Sequence, residues 1–123
     1  MGRFDPADLH LQLADAGYTT FELAGSKIVD RSSFFSAVRA TFPLDPPLIG
    51  SDSWDALNDS LWGGLFVHPA TRIAIIWSDT HPMEALSPSE FEIAIAILSD
   101  IALTIGEPRF TNGRPKDLTV LLS

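Results

Sequence analysis

The chain has 123 residues and a mass of 13.4 kDa, enough for one domain around a single core, and its 46% hydrophobic and 20% charged residues exclude a disordered polymer. Its 16 acidic and 8 basic residues give a formal charge of −8 and a pI near 4.5. This excludes sequence-independent nucleic-acid binding, which runs on Lys and Arg neutralising phosphates, and favours a basic partner. With no cysteine there is no disulfide framework or thiolate metal site, and no signal-length apolar stretch follows Met1. The most apolar tract, residues 93–105, is interrupted by Asp100, so the chain reads as a soluble cytoplasmic protein without a membrane partner.

Residues 7–16, stopped by Gly17, predict a short helix, and residues 1–17 as a whole read as an N-terminal extension. Residues 18–23 predict a strand, turned by Ala24-Gly25-Ser26. From Ser32 a helix places Phe34, Phe35, Val38 and Phe42 on one face until Pro43 ends it. Residues 44–50, with Pro46-Pro47, predict an extended connector. A second helix runs from Asp52 or Ser53 to about Leu65, with Gly63-Gly64 as its stop. The nearly all-apolar residues 72–77 suit a strand covered on both faces, residues 78–88 a loop, and residues 89–105 a long buried helix. After turn chemistry at 108–115, residues 118–122 form a last strand. Strands separated by helices imply an α/β fold with a small, mainly parallel three-stranded sheet packed with helices.

The negative charge is concentrated. Between Ala40 and Pro108 ten acidic residues face the single base Arg72, a net charge of −9, so the rest of the chain is nearly neutral. On a helical wheel Leu57, Leu61 and Leu65 fall with Trp54 in one apolar stripe, and Asp52, Asp55 and Asp59 share the opposite face. Asp52 suits an N-cap, and the helix dipole favours Asp55 in the first turn. Asp59 has no such local reason and repels Asp55 at i,i+4 by about 0.2–0.5 kcal/mol. The face is either a solvated acidic surface or a binding surface. Trp62 falls beside Asp55 on the wheel, at the edge of that face, whereas Trp54 and Trp77 read as core.

The segment Gly50-Ser-Asp-Ser-Trp-Asp-Ala-Leu-Asn-Asp-Ser-Leu-Trp-Gly, followed by a strand ending at Trp77 and by Leu118-Thr-Val-Leu-Leu-Ser, resembles the barstar family of intracellular ribonuclease inhibitors. The resemblance covers residues 18–123 and implies a barstar-like domain whose helix and preceding loop plug the active site of a basic ribonuclease. It implies an immunity protein or antitoxin with no cofactor. Asp55 and Asp59 match the family's two helix aspartates, and Asp100 its further acidic contact. The implied contact set is Leu48, Ile49, Gly50, Asp52, Ser53, Asp55, Asn58, Asp59, Trp62 and Asp100. Leu48 and Ile49 stand where the family's best-known member has aromatic residues, Asn58 where it has a tryptophan, and one extra residue separates Gly50 from Asp55. The alternative is a barstar-fold regulatory or scaffold module that inhibits nothing.

An enzyme is not expected. Asp79-Thr80-His81 beside the helix aspartates could be drawn as a metal hydrolase site, but His10, His68 and His81 are widely separated, with no His-x3-His pair. No Gly-x-Ser-x-Gly, P-loop or dinucleotide fingerprint occurs.

Overall fold

The computed structural model describes residues 6–50 and 52–123, so the sequence readings that touch residues 1–5 and Ser51 lie outside the described residues. The elements run α1 (Pro6–Asp15), β1 (Thr19–Ala24), a 3-10 turn (Gly25–Lys27), α2 (Arg31–Thr41), α3 (Trp54–Val67), β2 (Arg72–Ser78), α4 (His81–Leu86), α5 (Pro88–Ile105) and β3 (Asp117–Leu122). The fold is α/β, with all three strands parallel in the order β1-β2-β3. Thr19 pairs with Ile73 and Arg72 with Asp117.

Strand alternation assigns the two faces of the sheet. Leu23, Ile73, Ile75, Trp77 and Leu118 join the main core with Phe34, Phe35 and Val38 of α2, Leu57, Leu61 and Leu65 of α3, and Ala94, Leu98, Ile101 and Ile105 of α5. The intervening Ala74 and Ile76 are fully buried as well, which is why β2 reads as continuously apolar. Helix α1 packs on β1 and β2 through buried Leu9, and His10 bonds to Thr20 and Glu22, the β1 positions that alternate with core-facing Phe21 and Leu23. The sheet therefore lies between α1 and the other helices.

Two expectations are corrected. Gly63-Gly64 does not stop α3, which continues to Val67. The glycines let the connector cross the helix: a Cβ on Gly63 would lie 2.0 Å from the Asp45 carbonyl oxygen, and one on Gly64 1.9 Å from that of Pro43. The Asp45 amide donates to the Ser60 carbonyl at 2.9 Å in the same crossing, which includes a cis Asp45–Pro46 peptide. Within the expected loop 78–88, α4 forms a short helix with proline in its first turn, anchored by buried Met83. Six residues carry too little periodicity to stand out in a sequence.

Candidate functional site

Helix α3 starts at a serine cap, the Ser53 hydroxyl accepting from the Ala56 amide at 3.3 Å. Its stripe of Leu57, Leu61 and Leu65 is fully buried, which fixes the rotation of the helix and turns Asp55 and Asp59 outward. Both aspartates are exposed, and neither forms a side-chain hydrogen bond or ion pair with another described residue. No cation among the described residues offsets the carboxylates of this face.

Asp52 behaves differently from the expectation. It precedes the cap and turns inward, accepting from Arg39 Nη2 at 3.1 Å, while Arg39 Nε donates to the Leu48 carbonyl at 3.0 Å. Arg39 thereby ties both ends of the loop before α3 to α2. A second clamp centres on Glu90 of α5, which accepts two bonds from Arg31 at 3.1 and 3.2 Å and one from Trp54 Nε1 at 3.0 Å. The Arg31 guanidinium lies 5.3 Å from the Trp54 ring centroid and also donates to the Asp52 carbonyl. The helix start is thus held to α2 and α5 by charge-assisted bonds and a cation–π contact. Sequence reading missed Arg31, Arg39 and Glu90; the only signal was that two bases on α2 flank an otherwise acidic stretch.

In the connector, Leu48 is buried in the core and presents no side chain to a partner, contrary to the expected surface position. Its neighbour Ile49 is 86% exposed, and Gly50 follows at φ +94°, a conformation that favours glycine. Trp62 is not at a free edge: its Nε1 donates to Thr104 Oγ1 at 2.9 Å and its ring stacks on Phe66 at 5.1 Å, joining α3 to α5. Trp77 is fully buried, as expected for core, and Trp54 is half-buried against Phe34 and Phe35.

A groove of about 330 Å³ runs between α3 and α5, with Asp55 and Asn58 on one wall, Asp100 on the other, and Trp54, Ile93 and Ile97 among its apolar lining. Asp100, exposed on α5, is thus brought beside Asp55 from 45 residues along the chain. The structure assembles Asp55, Asn58 and Asp100 at one groove, carries exposed Asp59 on the same helix, and leaves Ile49 and Gly50 on the adjoining loop. The arrangement offers fixed anions beside apolar surface, suited to cationic side chains whose stems are apolar.

The candidate metal cluster is not assembled: among the described residues no group of three or more His, Asp or Glu side chains converges as a metal ion requires. Among them, too, no helix is long and apolar enough to cross a membrane.

The family model described as Barstar (barnase inhibitor) matches residues 18–123. No curated protein matches the chain. The match begins just before β1 and includes every element around the groove, leaving out α1. The chain belongs to the Barstar family, whose members are ribonuclease inhibitors that bind the enzyme as a protein partner.

Proposed function

We propose that this member of the Barstar family is a cytoplasmic immunity protein that blocks the active site of a basic ribonuclease with the acidic face of α3. The observation that carries this reading is the pair Asp55 and Asp59: exposed, one turn apart, without counter-ions among the described residues, on a helix whose start is clamped by Arg31, Arg39 and Glu90. An RNA-cleaving site concentrates cations to hold phosphate, and carboxylates on a rigid helix can meet them with little loss of conformational freedom. The same charges steer encounter, so association slows as salt rises and the screening length falls below about 10 Å. Asp100 adds a third anion across the groove, and Ile49 an apolar contact beside it.

The test is Asp59→Ala against the cognate ribonuclease. Binding should weaken by about 2–5 kcal/mol, the range for a buried hydrogen-bonded charge that loses its partner, to which ribonuclease–inhibitor pairs of this family themselves contribute. Folding stability should stay level or rise by a few tenths of a kcal/mol, because the repulsion from Asp55 is relieved. A tight complex whose calorimetric affinity is unchanged in Asp55→Ala/Asp59→Ala would show that the face serves hydration only.

A further inference from the structure

A second hollow lies at the other end of α3, about 20 Å from its acidic start by helix rise. It measures about 560 Å³, within the range of small-molecule sites. Its lining includes Phe66, Val67 and Pro115, together with Arg114 and Lys116, and no carboxylate.

Its charge is anomalous for a protein of net charge −8. Arg31, Arg39, Arg72 and Arg109 each have a carboxylate partner, whereas Arg114 has none among the described residues. Lys116 is buried, with 8% of its surface exposed, and its ammonium meets only neutral acceptors, the carbonyls of His68 and, at 2.7 Å, Ala70. Part of that placement is structural: His68 caps the C-terminal end of α3, where orphan carbonyls and the negative end of the helix dipole favour a cation. Two carbonyls still leave one of the three ammonium donors uncommitted, and a buried cation without an anion is costly. Burial accordingly holds the Lys116 ammonium below its usual pKa.

We infer that this hollow is a binding site for a small organic anion, a carboxylate or phosphate monoester joined to an apolar body. Arg114 supplies the planar fork that matches either head group, Lys116 a second cation, and Phe66, Val67 and Pro115 the apolar wall. The site is separate from the acidic face, so it neither requires nor supports nuclease binding.

The experiment titrates the full chain with phenyl phosphate and with benzoate, using benzyl alcohol as the neutral control, followed by calorimetry and by amide shifts in nitrogen-correlated NMR spectra. At least one charged probe should bind and move the amides of Val67, Thr71 and Lys116, and the better of the two identifies the head group. Arg114→Gln, at an exposed position, should keep the melting temperature and weaken binding at least about tenfold. The inference is overturned if neither charged probe moves those amides at roughly 10 mM, far weaker than ordinary ligand affinities. It is equally overturned if benzyl alcohol binds as well as the charged probes, or if Arg114→Gln binds unchanged.

Discussion

Two carboxylates three residues apart do opposite work here. Asp55 keeps its charge for the surface, while Asp52 gives its charge to Arg39 and so shapes the loop that presents Ile49 and Gly50. Replacing Arg39 by Met should therefore leave Asp52 and the Leu48 carbonyl to water, costing about 0.5–1.5 kcal/mol of stability in denaturant melts. Ribonuclease binding should weaken with it, although the hydrogen bonds of Arg39 go to the loop and not to α3; undiminished affinity would mean that the loop holds its shape without it. A different aspartate ties stability to pH. Asp30 caps α2, its carboxylate accepting from the Ser33 amide at 2.9 Å and from the Ser33 hydroxyl at 2.7 Å, and these bonds, the amide's first, hold its carboxyl below the usual carboxylate range. A depressed folded-state pKa contributes stability above the unfolded value, near 4, and loses it as pH falls through the folded value. The melting-temperature advantage of the native chain over Asp30→Asn should thus shrink between about pH 5 and pH 2. Parallel curves would show that the cap does not titrate.

Each main helix of the 18–123 region announces itself through the face it buries, and the helices whose faces are shortest or most crowded do not. The stripe Leu57, Leu61 and Leu65 told correctly which side of α3 is outward, because a period of 3.6 residues is local information. The clamps on that helix join Arg39 to Asp52 and Arg31 to Glu90, pairs set by how elements pack and thus illegible in any local pattern. Gly63 and Gly64 misled for the same reason: their cause is a carbonyl crossing from another segment, not a helix end. Gly64→Ala makes the distinction measurable. Helix propensity alone would favour alanine by about 1 kcal/mol, but a Cβ 1.9 Å from the Pro43 carbonyl must displace the connector, so stability should instead fall by about 1–3 kcal/mol. A stabilised variant in thermal melts would mean that the connector yields freely.

For the whole molecule, the family match begins between α1 and β1, and α1 packs on the sheet outside the main core. The main core contains no residue of α1, so a chain of residues 18–123 should still fold and bind ribonuclease. Removing α1 uncovers the face that holds Ala74 and Ile76, at a cost of about 2–4 kcal/mol by the burial of a few apolar side chains. A circular-dichroism melt should show a lower but still cooperative transition, and an unfolded product would make α1 part of the domain rather than an addition to it. Deleting residues 118–123 should be far more damaging, since β3 borders the central strand and brings Leu118 into the core. The parallel pairing carries a last consequence, for time rather than for stability. None of the described strands has a partner nearby in the chain: Thr19 must find Ile73, more than fifty residues on, and Arg72 must find Asp117. Such closures are entropically uphill until both ends meet, which places mixed α/β folds between the microsecond helical bundles and the slowest β-sandwiches. Helix α3 lies between β1 and β2, and its Glu90 clamp lies beyond β2, so the contacts that fix its start also close over long stretches of chain. A newly made molecule therefore carries all its acidic side chains before the contacts that set the orientation of α3 have formed.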